Sequence, residues 1–415
     1  MTDGKKSSSA KGGGLNRRDF VRSAGAAAFG FAVMQPQAAR TYAAHSKVKL
    51  GLIGCGGRGT WIAKLFREHG GYDVAACADY FSDRVNNAGD QLDVPSANRY
   101  TGLNGYRKLL DDVDAVAIES PPYFHPEQAA AAVDAGKHTY VAKPIAVDVP
   151  GCHSIGTSGK RASQKKQCFL VDFQTRADPF YMEALKRTHD GALGQIAFGE
   201  AIYHAGDPFK RMYDAWRADS AGAESRLRAW GLDRVLSGDI ITEQNIHTLD
   251  VMSWIMDREP ISATGTGGRI FRSVGTCFDH FALVFEYPGK VGITFSSRQS
   301  EGHGTQPAGI RNRMFGTQGV LETAYGGQVI IRGENFYRGG KSPGIYKDGA
   351  VANIAQFHKD ILAGNYENPT VEPSVRSNLV TILGRTAAYT GETILWEDMV
   401  KSDEKLDANL EGLKA

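Results

Sequence analysis

The stretch VKLGLIGCGGRG, residues 48–59, decides the fold of this chain. It begins as an alternating and then continuously apolar run, which is typical of the first strand of a parallel sheet. It passes without a break into the glycine pattern G-x-G-x-x-G. Gly54 permits a tight turn, Gly56 lets the backbone approach a pyrophosphate, and Gly59 lets the following helix pack closely on the strand. We therefore expect a dinucleotide to bind at Gly54, Gly56, Gly57, Arg58 and Gly59.

The elements after this loop indicate which dinucleotide binds. A helix predicted over residues 60–69 directs its N-terminal N–H groups at the phosphates. The next strand, residues 73–78, ends in Asp79, which lies 20 residues beyond Gly59. An acidic residue at that distance accepts hydrogen bonds from the adenosine ribose and repels a 2′-phosphate, which favours NAD. Arg84 nearby leaves NADP open, and a simple cap at the strand end is the alternative role for Asp79.

Strand and helix patterns alternate up to about residue 170, which predicts a doubly wound parallel sheet. Two buried strands, residues 114–118 and 138–142, are followed by Glu-Ser-Pro-Pro-Tyr-Phe-His and by Lys-Pro. Ligands of such sheets bind beyond the carboxyl ends of the strands. The cofactor-binding candidates at these two ends are Ser120, Pro121, His125 and Lys143.

The second half of the chain has a different pattern. Period-2 stretches predict a large, mostly antiparallel open sheet with one face covered. The fold class is therefore α/β, with a Rossmann domain over residues 44–170 and an α/β substrate domain over residues 171–415. An irregular segment, residues 206–238, combines aromatic and basic side chains, which either bind a sugar or pack over the core or a neighbouring subunit. Trp230 is the substrate-binding candidate in this segment.

Five short motifs occur in an order that resembles the Gfo/Idh/MocA family of glucose–fructose oxidoreductases and inositol dehydrogenases. They are the glycine loop, Ser120-Pro121-Pro122 with His125, Ala142-Lys143-Pro144, Glu243-Gln244-Asn245-Ile246-His247-Thr248-Leu249-Asp250, and Gly316-Thr317-Gln318-Gly319-Val320-Leu321-Glu322. The similarity covers nearly all of residues 47–400. It implies hydride transfer between a sugar or polyol hydroxyl and NAD, and a homodimer or homotetramer formed through the open sheet.

Three residues depart from the family pattern. Ala142 replaces a glutamate that in the family usually helps to hold the nicotinamide ribose, Glu243 replaces an aspartate, and Asn245 replaces a glycine. Glu119, one strand away from Ala142, could restore a carboxylate near that ribose. The departures predict an altered geometry for the cofactor or the substrate.

The catalytic candidates are Lys143, His247 and Glu243. A helix predicted over residues 242–256 places Glu243 and His247 on one face, four residues apart. Removal of hydride from a sugar C–H requires loss of the hydroxyl proton, which a histidine can take near neutral pH. We expect His247 to be this base, oriented by Asp250, and Lys143 to stabilise the alkoxide or share the proton. The alternative for His247 is a structural role in the core.

Arg176, Asn245 and His303 join Trp230 as substrate-binding candidates. His303 lies between glycines, in a loop that either closes over the site or faces solvent. Glu243 and His247 could instead hold a metal ion. No H-E-x-x-H motif or third ligand at fixed spacing supports that use, so no metal is predicted.

The first 43 residues have the order of an export signal. Arg17-Arg18 precedes an apolar run over residues 24–34 and a small-residue cleavage site near Ala43, which predicts a twin-arginine signal peptide. An amphipathic N-terminal helix is the alternative. We therefore expect a periplasmic or exported protein that interacts with the twin-arginine machinery and carries a tightly held cofactor. The formal net charge of +2 is concentrated in this basic segment, and the rest of the chain predicts no nucleic-acid partner and no membrane anchor.

Two activities remain open for the site. The first is net oxidation of a sugar or polyol hydroxyl with reduction of NAD. The second is redox-neutral cleavage of a glycoside, in which transient oxidation at C3 acidifies the C2–H, elimination breaks the glycosidic bond and the hydride is returned. A non-catalytic sugar sensor is a third interpretation, and the presence of both Lys143 and His247 argues against it. Net turnover of added NAD separates the first two.

Overall fold

A parallel sheet of six strands forms the first half of the protein in the computed structural model, which describes residues 47–415. Its strand order is β3-β2-β1-β4-β5-β6, the arrangement of a dinucleotide-binding sheet. The strands are β1 Val48–Ile53, β2 Tyr72–Asp79, β3 Arg99–Thr101, β4 Ala115–Ile118, β5 His138–Ala142 and β6 Phe169–Asp172. The helices between them are α1 Gly57–His69, α2 Ser82–Leu92, α3 Gly105–Leu109, α4 His125–Asp134 and α5 Val149–Gln164. The predicted doubly wound sheet is confirmed.

The central strands are apolar because both faces of the sheet are covered. Every residue of β4 and of β6 is buried, as expected for strands between two helical layers. Helix α1 begins at Gly57, three residues earlier than predicted, so the glycine loop itself forms the first turn. The sheet also crosses the predicted domain boundary, since β6 continues from residue 169 to residue 172.

A second sheet of nine strands follows, in the order β14-β13-β12-β11-β7-β10-β9-β8-β15. Its strands are β7 Ile196–Ala205, β8 Ser262–Gly268, β9 His280–Tyr287, β10 Val291–Gln299, β11 Gly309–Gly316, β12 Gly319–Ala324, β13 Gln328–Gly333, β14 Tyr337–Lys341 and β15 Ile394–Leu395. The pair β7–β10 is parallel and the other pairs are antiparallel. The predicted large, mostly antiparallel open sheet is therefore confirmed.

Helices of the second half connect the two sheets. They are α6 Pro179–His189, α7 Tyr213–Ala218, α8 Ala223–Arg228, α9 Arg234–Ser237, α10 Ile240–Glu243, α11 Ile246–Met256, α12 Ile345–Ala363, α13 Val371–Thr390 and α14 Trp396–Met399. Helix α12 returns to the first sheet, where Ile354 and Phe357 join a core cluster with residues of β1 and β2. Helix α13 packs on the inner face of the second sheet through buried residues such as Leu383.

The two faces of the second sheet differ in burial, because buried and exposed residues alternate along its strands. Along β9 the residues Phe281, Leu283, Phe285 and Tyr287 are buried, whereas the residues between them are exposed. Each buried large apolar side chain contributes roughly 1.5–3 kcal/mol relative to exposure. The opposite face keeps apolar side chains at the surface, with Phe198 49% exposed. Within residues 47–415 no helix combines the length and the apolar character that a membrane span needs.

Candidate active site

The glycine loop between β1 and α1 has the shape of a phosphate cradle. Gly54 has a φ of +98°, and a Cβ there would lie 2.5 Å from the backbone of Glu119. A Cβ on Gly59 would lie 1.9 Å from the carbonyl oxygen of Gly54, so the close contact of helix and strand requires glycine. Around Gly56 and Gly57 the space is open. Because no side chain caps the N-terminus of α1, its N–H groups are available for an anion. The residues present fit a dinucleotide diphosphate.

Asp79 and Arg84 line a cavity beside this loop, together with Ser120 and Pro121. The carboxylate of Asp79 accepts hydrogen bonds from the backbone N–H groups of Cys55 (2.8 Å) and Phe81 (3.0 Å). Burial raises the pKa of Asp79, and these hydrogen bonds and Arg84 oppose the rise. The guanidinium of Arg84 lies 4.7 Å from the ring centre of Phe81. The structure thus brings together Asp79, Arg84, Ser120 and Pro121, which were all predicted to bind the cofactor.

A second cavity of about 360 Å³ contains the three catalytic candidates, Lys143, Glu243 and His247. Lys143 follows β5, and its Nζ donates a 2.7 Å hydrogen bond to the backbone carbonyl of Glu243. The same Nζ lies 3.7 Å from the Glu243 carboxylate. Burial lowers the pKa of Lys143, with Glu243 opposing the shift. A lysine held in this way can donate a hydrogen bond to a substrate oxygen or exchange a proton with it.

His247 borders the same cavity. Its Nδ1 is buried and has no hydrogen-bond partner among residues 47–415. Burial, together with the positive charges of Lys143 and Arg58, holds the pKa of His247 well below its usual value. The ring lies edge-on to Tyr325, with ring centres 5.3 Å apart. The Tyr325 hydroxyl is also buried without a partner in the described part of the chain. Tyr325 was not predicted from the sequence, because no motif accompanies a single tyrosine after a strand.

The predicted helix over residues 242–256 is confirmed over residues 246–256, but it is interrupted near its start. Two helices, α10 and α11, are separated by Gln244 and Asn245, so Glu243 and His247 do not share one helical face. They still meet because the break turns both side chains toward the cavity. Gln244 bridges within it, accepting a 2.6 Å hydrogen bond from the Tyr203 hydroxyl and donating to the Glu243 carboxylate. Asn245 is fully buried and does not line the cavity, and both of its side-chain polar atoms are unpaired in the described structure.

Asp250 and Arg176 form an ion pair with each other, and neither side chain lines the cavity. Arg176 donates from Nε and from a terminal nitrogen to Asp250, at 3.0 and 2.8 Å. Ser377 donates a further 2.7 Å hydrogen bond to the same carboxylate. Asp250 is thus bound by other groups and does not orient His247 as predicted. The Arg176 guanidinium lies over the ring of Trp254 at 5.0 Å, away from the cavity lining.

The remaining candidates divide into residues at the cavity and residues away from it. Trp230 lines the cavity and packs edge-on against Phe209, with ring centres 6.1 Å apart. His125 connects two strand ends, since its ring nitrogens lie 2.8 Å from the Pro144 carbonyl and 2.7 Å from the Ser120 carbonyl. Burial lowers the pKa of His125 to about 4. His303 lies in the exposed loop between β10 and β11 and does not border the cavity.

Comparisons with known proteins match this arrangement of domains. The family model "Oxidoreductase family, NAD-binding Rossmann fold" matches residues 48–173, and the model "GFO/IDH/MocA C-terminal domain" matches residues 181–322. A "Glycosyl hydrolase family 109 protein" of Shewanella baltica (strain OS195) is 28% identical over 213 residues, which is 46% of each chain. A protein of the same description from Streptomyces coelicolor is 29% identical over 168 residues, 39% of this chain and 35% of that protein. The chain thus matches less than half the length of these curated relatives.

Solved structures share the fold over most of the chain. A levoglucosan dehydrogenase in complex with NADH and levoglucosan has a TM-score of 0.67 at 17% identity, covering 84% of this chain and 99% of the other. A myo-inositol 2-dehydrogenase from Lactobacillus plantarum has a TM-score of 0.64 at 22% identity, covering 84% and 99%. An aldose-aldose oxidoreductase from Caulobacter crescentus has a TM-score of 0.65 at 20% identity, covering 84% and 100%.

Proposed function

Because this chain belongs to the Gfo/Idh/MocA oxidoreductase family, we propose that it transfers hydride between a sugar or polyol hydroxyl carbon and NAD. The observation that carries the proposal is the cluster of Lys143, Glu243 and His247 in one cavity at the carboxyl ends of the first sheet. Gly54 to Gly59 would hold the diphosphate, and Asp79 the adenosine ribose. NAD supplies the hydride acceptor when bound. NADP remains a weaker alternative because Asp79 lies where a 2′-phosphate would be repelled.

The side chains of the cavity would handle the substrate and its proton. Phe209 and Trp230 line the cavity and would offer flat rings to sugar C–H faces. The Lys143 ammonium would donate a hydrogen bond to the reacting hydroxyl oxygen and stabilise its negative charge as the proton leaves. His247, neutral because its pKa is lowered, would accept that proton. Glu243 would keep Lys143 in place through the carbonyl contact and the adjacent carboxylate.

Redox-neutral cleavage of a glycoside is the second candidate function. It is favoured by the similarity to glycosyl hydrolase family 109 proteins. This reaction needs a base for the proton at the carbon next to the oxidised one and an acid for the leaving oxygen. The site offers a second unpartnered group for these steps, the buried Tyr325 hydroxyl beside His247.

One experiment distinguishes the two activities. The purified protein is incubated with a panel of nitrophenyl glycosides and free sugars, with and without added NAD. Absorbance of reduced nicotinamide and release of nitrophenol are followed together. Net reduction of added NAD supports the oxidoreductase, whereas nitrophenol release without net reduction supports the glycosidase. Neither signal on any member of the panel would contradict both.

We also propose that the cofactor is tightly retained. Leu227, from α8, borders the adenosine cavity, and Arg228 pairs with Asp83 at 3.0 Å. Leu103 also borders this cavity, and its N–H donates a 3.0 Å hydrogen bond to the Lys414 carbonyl. These segments and the glycine loop support a binding site from which adenosine leaves slowly. Acid denaturation of freshly purified protein should release close to one NAD per chain, and a nucleotide-free preparation would contradict retention.

Two further proposals concern assembly and export. The exposed face of the second sheet, where Phe198 and Phe315 stack with ring centres 4.5 Å apart, supports a homodimer or homotetramer that light scattering would detect. Residues 1–43, which lie outside the described part of the chain, are proposed to direct export to the periplasm by the twin-arginine route. A reporter fused to them should be exported, and Arg17→Lys with Arg18→Lys should retain it in the cytoplasm. Normal export of this double variant would contradict the twin-arginine route.

A further inference from the structure

Two buried carboxylates flank Ala142 at the edge of the first sheet. Ala142 pairs directly with Asp172 on the neighbouring strand β6. On its other side Val141, the residue before Ala142, pairs with Ile118, the last residue of β4, and Glu119 follows directly. The side chains of Glu119 and Asp172 are both 0% exposed. The methyl group of Ala142 therefore lies between two acidic groups.

Arg58 of the glycine loop contacts both acidic groups. Its Nε lies 3.1 Å from Glu119 Oε2, and one terminal nitrogen lies 2.6 Å from Asp172 Oδ2. The other terminal nitrogen donates a 2.9 Å hydrogen bond to the hydroxyl of Tyr346. A glutamate in place of Ala142 would put a third carboxylate around this one guanidinium. The presence of a carboxylate at Glu119 is therefore linked to the absence of one at Ala142.

The two carboxylates differ in their remaining partners. Asp172 also accepts hydrogen bonds from Gln174 and Asn353, both at 2.8 Å. Both oxygens of Glu119 are buried, and Oε2 lies beside Arg58 Nε, whereas Oε1 accepts no hydrogen bond from any residue between 47 and 415. A buried acceptor without a donor is costly, so Glu119 is suited to receive a donor from a ligand.

The position of Glu119 identifies that donor. The side chain borders the same cavity as Lys143 and Arg58, and a Cβ on Gly59 would lie 3.2 Å from the Glu119 Cβ. Glu119 thus lies between the phosphate cradle and the catalytic lysine. In a dinucleotide whose diphosphate occupies the cradle, the group between diphosphate and nicotinamide is a ribose with two hydroxyl donors.

We propose that Glu119 accepts a hydrogen bond from the nicotinamide ribose, and that Arg58 holds the carboxylate in place for it. The proposal rests on the proposed function only in its use of a nicotinamide dinucleotide. Burial raises the pKa of Glu119 to about 7, with Arg58 opposing the rise. A carboxyl group in that state gains from a hydroxyl donor whether it is ionised or not.

Calorimetric binding of three nucleotides to the full-length protein, freed of bound nucleotide, tests the proposal. ADP lacks the second ribose, ADP-ribose has it, and NAD has both the ribose and the nicotinamide. Glu119→Gln keeps the shape of the side chain, and Glu119→Ala removes it. We expect Glu119→Ala to weaken NAD and ADP-ribose roughly ten- to a hundredfold, the usual effect of losing a hydrogen bond to a charged group, and to change ADP less than twofold. Glu119→Gln should show a smaller loss in the same order.

Controls separate this role from a structural one. Glu68→Gln, on the far end of the same helix as Arg58, should leave all three affinities unchanged. Parallel losses for ADP and ADP-ribose in the Glu119 variants would overturn the proposal, and so would unchanged affinities. Absence of NAD binding by the unaltered protein would instead contradict the proposed function.

A charge exchange provides an independent test. Ala142→Glu alone should weaken ADP-ribose, because three carboxylates then surround Arg58. The double variant with Ala142→Glu and Glu119→Ala should bind ADP-ribose at least tenfold more tightly than Ala142→Glu alone. The second substitution returns the number of carboxylates around Arg58 to two and leaves one of them to accept a hydrogen bond from the ribose. A double variant that binds ADP-ribose no better than Ala142→Glu alone would overturn the linkage between the two positions. Melting temperatures of all variants report whether each one is folded.

Discussion

Replacement of Lys143 tests the catalytic cluster most directly. Lys143→Met removes a side chain that is 7% exposed, its 2.7 Å hydrogen bond to the Glu243 carbonyl and its 3.7 Å contact with the carboxylate. The loss of the hydrogen bond is offset by the removed cost of burying the ammonium group, so we expect a small change in melting temperature. Turnover should fall far more. A positioned acid or base contributes roughly a hundred- to ten-thousandfold, which is about 2.7–5.5 kcal/mol in the activation free energy.

The double variant with His247→Gln shows whether the two residues act on one proton. Independent effects would multiply, whereas a shared proton predicts that the double variant is little slower than the slower single variant. The assay is kcat on the substrate found in the glycoside and sugar panel, with NADH binding as a check of the folded site. Lys137→Met is the matched control, because Lys137 also donates from Nζ to a backbone carbonyl, that of Val113, at 2.8 Å outside the cavity. Near-wild-type kcat in a folded, NADH-binding Lys143→Met protein would refute the reasoning.

Three further predictions follow from the contacts. Asp79→Ala should weaken NAD more than NADP, because the hydrogen bonds it removes require a free ribose 2′-hydroxyl; an unchanged ratio of the two dissociation constants would leave Asp79 a strand-end cap. Arg176→Met should lower the free energy of unfolding by about 3–5 kcal/mol, since it leaves the buried Asp250 carboxylate with the Ser377 hydrogen bond but without its charged partner, with KM nearly unchanged; a raised KM at normal stability would make Arg176 a substrate residue after all. Since the pKa of His247 is lowered by folding, the unfolded chain binds its proton first as pH falls below about 6.5. Stability should therefore decline on acidification, and His247→Gln should remove up to about 1.4 kcal/mol of that decline per pH unit; an identical pH slope in urea melts of the two proteins would contradict a neutral, buried His247.

The cofactor half could be predicted because its signals are local. The turn at Gly54, the close contact at Gly59 and the acidic end of β2 are each encoded within a few residues, and the parallel sheet requires the buried runs that the sequence displays. The large antiparallel sheet could also be predicted, since a sheet with one covered face requires apolar residues at every second position of its strands. Lys143 and His247 were found because each lies in a short motif.

The arrangement of side chains around the cavity depends on contacts that no local sequence pattern encodes. A periodic helical pattern continues across Gln244 and Asn245, yet the chain breaks there and turns Glu243 and His247 into one cavity. Asp250 has a suitable spacing to orient His247, but Arg176, 74 residues away, binds it instead. The buried Tyr325 and the charge cluster of Arg58, Glu119 and Asp172 arise where separate strands end side by side. Sequence determined the two sheets and the motifs at their strand ends, and tertiary packing decided which side chains meet, because burial selects partners by position in space and charge rather than by spacing along the chain.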